Sequence, residues 1–339
     1  MSARREAKSR GPVVLSASAG LLLVAVALST AVGALAIPLG EVVAVIFGGP
    51  EAAADPRHGA VVWSVRLPRV ALGALVGAGL ASGGAALQGL FRNPLADPYV
   101  LGIASGGGLG AAVVLLLAGQ GALDAGLIPV GAFLGAAVAA AAVHGLAWRA
   151  GRLPLASVLL AGVAVGLIGS AGVSLVLVLA ESQAGDIVQW LLGDLGGHGW
   201  REVGQAAACI VPALVVLGLH ARDLDALLLG EEAAAGLGVE VARAKLWVLG
   251  ATALAVAGAV AWCGLIGFVG LIVPHAARLL AGGGHRWLLP ISAVAGAAAL
   301  VAADAAARTA LPDRALPVGV VTGCLGGPFF LWLLRRAMR

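Results

Sequence analysis

The stretch Leu67–Gly108, LPRVALGALVGAGLASGGAALQGLFRNPLADPYVLGIASGGG, decides the fold of this chain. It is mostly apolar and crowded with glycine, yet it contains a polar segment at residues 92–98. A soluble core does not need so many glycines, and a simple membrane anchor does not need the polar segment. The pattern predicts two membrane-spanning helices joined by a structural loop. Pro94 and Pro98 stop the helix there, and we expect Asn93 and Asp97 to bond to nearby backbone.

The composition of the whole chain places it in a membrane. Of its 339 residues, 60% are hydrophobic and only 11% are charged, against about 25% charged in a typical soluble domain. The mean hydropathy is +1.02. A soluble protein of this size could not solvate its surface with so few charges. The net charge of +4 is scattered between apolar runs, which indicates membrane topology and not a nucleic-acid partner.

The apolar runs predict an all-α polytopic membrane protein with about ten transmembrane helices. They lie at approximately 13–36, 65–90, 98–119, 126–148, 153–180, 202–220, 244–265, 268–281, 287–310 and 315–335. We divide the stretch 244–281 in two, because it is too long for one span of about 20 residues. It also carries Gly264, Gly267 and Gly270, where a helix is expected to break. The second half is short and is not expected to cross alone.

The distribution of basic residues sets the orientation. With the N-terminus inside and ten alternating spans, 15 of the 21 basic residues fall inside, so both termini are predicted to be cytoplasmic. The longest polar interval, roughly 221–243, is too short to fold alone, so residues 1–339 are expected to form a single transmembrane domain. Many of the 52 glycines recur at four-residue spacing, which favours close helix packing in lipid.

The three cysteines do not form a metal site. Cys209, Cys263 and Cys324 lie far apart in different apolar runs, without the spacing of metal ligands. We interpret them as small buried hydrophobic residues, and no metal is expected.

Five blocks of the sequence resemble one family of transport proteins. They are RLPR, GAALQGLFRNPLADPYVLGIASG, LGEEAAAGLG, GLIGFVGLIVPHAARLL and LPVGVVTGCLGGPFFLWLL, and they occur in the family's order over nearly the whole chain. The chain resembles the FecCD family, the permease subunits of ABC importers for iron–siderophore complexes, haem and cobalamin. The resemblance implies a ten-helix homodimer around a central pathway. Its implied partners are two cytoplasmic ATPase subunits and an extracytoplasmic substrate-binding protein, with no nucleic acid. The implied location is the cytoplasmic (inner) membrane of a prokaryote.

The energy source must lie on another chain if transport uses ATP. A phosphate-gripping P-loop requires the pattern G-x-x-x-x-G-K-[ST]. The chain has two lysines, Lys8 and Lys245, and neither follows a glycine. It therefore has no Walker A site. We expect a transport subunit that is not an enzyme and holds no cofactor, while ATP and Mg²⁺ are bound by the partner ATPase.

The resemblance also implies three sets of site residues. The translocation pathway is expected on the fifth and tenth spans, at Leu160, Val163, Gly166, Ser170, Ser174, Val318, Thr322 and Gly326. ATPase coupling is expected on residues 222–239 as two short helices, with Leu224, Leu228, Gly230, Glu231, Glu232, Gly236 and Gly238. Docking of the substrate-binding protein is expected at Arg66, Arg69 and Arg308, with Arg314 as a possible fourth member.

Two other classes of function stay open. An ion-coupled secondary transporter would place ionisable residues within its spans, and the clearest ones are Asp304 and Arg308, which are four apart and could pair instead. An intramembrane enzyme could use Glu181, Asp194 or His198, but they lack catalytic spacing. For the cargo we expect an iron complex of the siderophore type, with cobalamin or haem as alternatives in the same system.

Overall fold

The computed structural model describes residues 2–33, 35–118, 126–149, 153–311 and 314–337. These residues form an all-α bundle, as the sequence predicts. The α-helices are α1 (Ser2–Ala31), α2 (Leu39–Gly48), α3 (Pro56–Val61), α4 (Leu67–Leu90), α5 (Ile103–Ala118), α6 (Leu127–Ala147), α7 (Leu155–Leu179), α8 (Ala184–Leu191), α9 (Trp200–Leu219), α10 (Ala221–Leu227), α11 (Glu231–Gly236), α12 (Val241–Cys263), α13 (Val269–Ala281), α14 (His285–Thr309) and α15 (Val318–Ala337).

Each of the ten predicted spans corresponds to one helix. Seven helical stretches of the described residues are long and apolar enough to cross a membrane, and α5, α13 and the apolar part of α15 are shorter. Helix α13 has 13 residues, so it extends only about 20 Å, against a hydrocarbon core of about 30 Å. The expectation that this segment does not cross alone therefore agrees with its length.

The second span begins earlier than predicted. A π-helical turn, Val62–Arg66, joins α3 to α4, so that the helix runs without interruption from Pro56 to Leu90. The Asp55 side chain starts it by accepting a hydrogen bond from the backbone N–H of Arg57 at 2.8 Å. The extra turns carry polar residues, which is why the apolar run did not show them.

Glycines bring the central helices into backbone contact. Gly77 on α4 and Gly296 on α14 face each other, and a Cβ atom on either would overlap the carbonyl of the other. Gly110 on α5 and Gly131 on α6 are related in the same way. The four-residue glycine spacing thus marks helix contacts in the centre of the bundle. The pair Gly323 and Gly327 is different, since a Cβ atom at either position would meet no atom within 4 Å.

The polar loop after α4 is built as the sequence predicts. The Asn93 side chain accepts from the Leu95 N–H at 2.9 Å, and the Asp97 side chain accepts from the Tyr99 N–H at 2.8 Å. A 3₁₀ turn, Pro98–Leu101, follows and packs against α7. The hydroxyl of Tyr99 accepts from the Ile266 N–H at 2.7 Å. The loop therefore supports the chain between α12 and α13.

The break between α12 and α13 lies where the glycines predict it. Gly264 ends α12 with a φ of 65°. Phe268 starts α13 with a φ of 67°, in the left-handed region, which is uncommon for a residue with a bulky side chain. No pattern in the sequence indicates this conformation.

The prediction that all three cysteines are buried is wrong for Cys324. Cys263 is buried and Cys209 is half-buried, but Cys324 is exposed on α15. Helix α15 packs against α13 and α14, and Cys324 lies on it beside Leu325, which is also exposed.

Candidate functional site

Three arginines meet at the end of the bundle that is predicted to face outside, here called the outer end. Arg66 is 6% exposed. Its guanidinium donates to the carbonyls of Thr30 and Ala31, each at 2.8 Å, and to that of Leu35. The carbonyls of Thr30 and Ala31 close the end of α1 and have no partner within that helix. Arg66 therefore caps α1.

Arg308 holds the same end of α1 from the other side. Its Nη2 donates to the carbonyl of Ser29 at 2.9 Å and to the Ser29 hydroxyl at 2.7 Å, and its Nη1 donates to the carbonyl of Val32 at 2.9 Å. Its Nε lies 3.1 Å from the carboxylate of Asp304. The pairing expected for residues four apart on a helix is confirmed.

Arg69 shares the carboxylate of Asp304. Its Nη2 lies 2.8 Å from Oδ1 of Asp304, whose side chain is 2% exposed, and 3.0 Å from Oδ1 of Asp194. The carboxylate of Asp304 is thus placed between two guanidinium groups. The sequence did not indicate that Arg69 joins this pair, because 235 residues separate Arg69 from Asp304.

The structure brings the three predicted docking arginines together, and all of them are bonded within the chain. The exposed arginines among the described residues of the outer end are Arg57, Arg201 and Arg314. Of these, Arg314 is the possible fourth docking residue predicted from the sequence. Docking at Arg66, Arg69 and Arg308 stays a prediction, and it has to compete with the bonds that these side chains already make.

The two predicted halves of the pathway face in different directions. On α7, Leu160 is 73% exposed and Val163 is 52% exposed, and Ser170 and Ser174 are also exposed. The Ser174 hydroxyl donates to the carbonyl of Ser170 at 3.1 Å. Gly166 is half-buried on the same helix. This face of α7 is open in the single chain.

The predicted residues of α15 lie inside the bundle instead. Val318 is fully buried, and Thr322, which is 7% exposed, donates to the carbonyl of Gly319 at 3.1 Å. Gly326 packs onto the ring of Phe268, which a Cβ atom at position 326 would overlap. These residues follow each other at four-residue spacing, and Gly326 contacts the break between α12 and α13 through Phe268. In the single chain these three residues are buried, and their part in the pathway stays a prediction.

The predicted coupling segment forms two short helices at the opposite end of the bundle, called the inner end. Gly230, with a φ of 111°, separates α10 from α11, and Gly238, with a φ of 87°, follows α11. Leu224 is fully buried and Leu228 is half-buried, so they attach the segment to the bundle. Its exposed leucines are Leu229 at 65% and Leu237 at 67%. We call residues 221–237 the knob.

The knob is fixed to α14 through Asp225. Its Oδ1 accepts from Nδ1 of His285 at 2.7 Å and from the backbone N–H of His285 at 2.8 Å. Burial alone would raise the pKa of Asp225, but the two hydrogen bonds from His285 and the charge of Arg278 outweigh it, and the pKa lies below its ordinary value. The carboxylate is therefore charged at neutral pH. Among the predicted residues of the knob, Glu231, Glu232 and Gly236 are exposed.

A cavity of about 460 Å³ opens at the outer end between α6, α8, α9 and α12. Asp194 and His198 line it with Trp190 and Trp262. The carboxylate of Asp194 is bound to Arg69 and to the backbone N–H of Leu195, and Nδ1 of His198 faces the carbonyl of Leu195 at 3.4 Å. Neither arrangement resembles a catalytic pair. No group of three or more His, Cys, Asp or Glu side chains in the described ranges could hold a metal ion.

The chain is similar to membrane transport proteins of several organisms. The cobalamin import system permease protein of Halobacterium salinarum is 42% identical, and the match covers 98% of each chain. The hemin transport system permease protein of Yersinia pestis is 42% identical over 81% of this chain and 83% of its own length. The vitamin B12 import system permease protein of an Escherichia coli strain is 39% identical, covering 84% and 86%.

The fold has a solved counterpart. A transporter assigned to the metal-chelate ABC type, in an inward-facing conformation, matches with a TM-score of 0.84 and 30% identity. The match covers 96% of this chain and 99% of the other. The model of the FecCD transport family matches residues 21–336, nearly the whole chain. The chain therefore belongs to the FecCD transport family, as a multi-pass membrane permease subunit of the ABC importer type.

Proposed function

We propose that this chain forms the membrane pathway of an ATP-driven importer by pairing with a second copy of itself in the cytoplasmic membrane of a prokaryote. The observation that carries the proposal is the open face of α7. Ser170 and Ser174 are exposed on this face. The helix has 25 residues, and only 17% of the residues in its most apolar stretch are buried. A hydroxyl group that faces lipid finds no hydrogen-bond partner there. A second copy with a water-filled path between the two helices gives the two hydroxyl groups suitable surroundings.

The knob is proposed as the contact with a separate ATPase subunit. It is compact, it stands at the inner end, and it presents Leu229 and Leu237 to the outside. Exposed leucines close in sequence to the exposed Glu231 and Glu232 suit a protein partner. Since the chain has no Walker A sequence, ATP and Mg²⁺ would be bound by that subunit.

The outer end is proposed to receive a substrate-binding protein. Six arginines lie there by the predicted topology, and the exposed Arg314 can pair with acidic residues of a partner. Arginine suits this contact because its planar group binds a carboxylate through two hydrogen bonds.

The proposed cargo is a bulky metal chelate. The sequence alone favours an iron complex of the siderophore type. The names of the relatives add cobalamin, in Halobacterium and Escherichia, and haem, in Yersinia. Because the cobalamin permease of Halobacterium matches over 98% of both chains, we place cobalamin first, with haem and iron–siderophore complexes next.

Reconstitution in vesicles tests both the driving force and the cargo. The chain, its ATPase and its binding protein are placed in liposomes without an ion gradient, and uptake of cyanocobalamin, haemin and a ferric siderophore is measured with and without ATP on the knob side. We expect uptake of one of the three, and only with ATP. Uptake that follows an ion gradient and ignores ATP would identify a secondary transporter and refute the proposal. Titration of the binding protein with each compound identifies the cargo independently.

A further inference from the structure

Lys245 is a buried charged side chain that belongs neither to the predicted pathway nor to the apolar core. It lies in the second turn of α12 and is 3% exposed. Its ammonium group makes two contacts. Nζ is 2.7 Å from Oε1 of Glu231 and donates to the carbonyl of Leu153 at 3.0 Å. A desolvated ammonium is unfavourable without such partners, so its position depends on both.

The two partners belong to different parts of the molecule. Glu231 is the first residue of α11, in the knob. Leu153 directly precedes Pro154, which caps the start of α7 with a φ of −66°. The pyrrolidine ring fixes this dihedral angle, so the carbonyl of Leu153 is attached to the first turn of α7 with little freedom. One ammonium group thus joins the knob, α12 and the start of the open helix.

We propose that Lys245 is a positioning residue that transmits displacement of the knob to the start of α7. The inference rests on the proposed function, in which an ATPase moves the knob and α7 lines the pathway. Glu231 is 49% exposed and moves with the knob surface. Lys245 and the carbonyl of Leu153 are enclosed. A pull on Glu231 therefore reaches α7 through a charged contact that cannot be replaced by water without rearrangement.

Lysine suits this position for a geometric reason. Its ammonium group carries three donors on a flexible stem, so it can keep both contacts while the knob tilts. Leu153 and Glu231 are 78 residues apart in the sequence, so the chain between them does not link the knob closely to α7. Lys245 links them through two contacts of 2.7 Å and 3.0 Å.

The matched variants are Glu231→Gln, Lys245→Met and the double variant, with Glu240→Gln as the control. Glu240 is 70% exposed and pairs with Arg243 at 3.0 Å near the start of α12, so its replacement removes an acid without touching Lys245. Glu231→Gln leaves Lys245 bound to Leu153. It therefore keeps the test valid even if Lys245→Met fails to fold.

The readout is cargo transported per ATP hydrolysed by the full transporter in vesicles. Glu231→Gln is expected to lower this ratio by about fivefold or more, the lower range of coupling between linked sites. The double variant should be no worse than Lys245→Met. An unchanged ratio in Glu231→Gln would overturn the proposal. So would an equal fall in uptake and hydrolysis, since that places Glu231 in the ATPase contact itself.

A distance measurement separates transmission from simple stabilisation. Spin labels at the exposed Ala235 on α11 and Ala156 on α7, each paired with a label on the ATPase, report the ATP-induced movement of each helix, with Cys209 and Cys324 replaced by serine. In Glu231→Gln, movement at Ala235 should persist and movement at Ala156 should be lost. Retained movement at both positions overturns the linkage. If the unmodified transporter itself shows no ATP-driven uptake, the proposed function has failed, and not the linkage alone.

Discussion

Asp304 and Arg69 form a two-point contact at the outer end of the bundle, with Nε of Arg69 3.0 Å from both carboxylate oxygens and Nη2 2.8 Å from Oδ1. Arg308 approaches the same carboxylate at 3.1 Å. Through Arg308 the contact continues to the end of α1. One buried acid therefore holds α1, α4 and α14 together.

Replacing Asp304 with asparagine should destabilise the protein strongly. The variant keeps the shape of the side chain but leaves Arg69 and Arg308 facing each other without a shared counter-charge. Breaking a buried ion pair in this way costs about 3–5 kcal/mol. The midpoint of thermal unfolding in detergent measures it. Glu51→Gln, an exposed acid of the outer end, is the control and should have no effect. An unchanged midpoint in Asp304→Asn would show that the contact is not needed for the fold.

The outer arginines should divide into structural and docking residues. Arg66→Gln removes the cap of α1, so it should lower the unfolding midpoint while leaving affinity for the binding protein unchanged in the folded fraction. Arg314→Glu should leave the midpoint unchanged and slow association, because exposed charges act mainly on the rate of encounter. Surface plasmon resonance at two salt concentrations measures the rates.

The control for docking is Arg243→Glu, an exposed arginine near the knob, which should change neither rate. If Arg66→Gln slows association as much as Arg314→Glu does, Arg66 leaves its carbonyls to meet the partner. The docking role predicted from the sequence would then hold for Arg66.

The sequence predicted the spans well and their contacts poorly, for physical reasons. A span is a local property, since about 20 apolar residues are needed to cross lipid. The glycines at 264–270 likewise mark the break locally. By contrast, Arg69 meets Asp304 across 235 residues and Lys245 meets Leu153 across 92. No local pattern specifies such partners. Helix α15 shows a third case, because residues 318–334 are apolar or small on every face, and periodicity therefore could not show that Thr322 and Gly326 turn inward.

Gly326→Ala should strain the contact between α15 and the break, because the added methyl group overlaps the ring of Phe268. Such overpacking costs about 1–3 kcal/mol. Gly323→Ala is the matched control on the same helix. A Cβ atom there meets nothing within 4 Å, and alanine favours helix over glycine by about 0.5–1 kcal/mol. Thermal unfolding should separate the two variants in opposite directions.

A second substitution checks the cause. Phe268→Gly removes the ring and suits the positive φ at that position. Added to Gly326→Ala, it should abolish the extra cost of the methyl group, so that the two changes are not additive. Additive losses would mean that Gly326 is required for another reason, such as access to the pathway.

The open face of α7 gives the most direct test of the pathway. Cysteines at Ser170 and Ser174 should react with a membrane-impermeant maleimide in at least one nucleotide state of the assembled transporter, because water must reach a pathway residue. Native Cys324 is exposed and Cys209 is half-buried, so both are first replaced by serine.

Two positions on the same helix serve as controls. Val176 is 6% exposed and should never react. Leu175 is 60% exposed but lies about 140° round the helix from Ser170, at 3.6 residues per turn. If the face of Leu175 meets lipid, it should not react either, although the single chain leaves it as open as Val163. Equal labelling of Leu175 and Ser170 would mean that α7 is surrounded by water on both sides, and silence at both serines in every state would move the pathway away from α7.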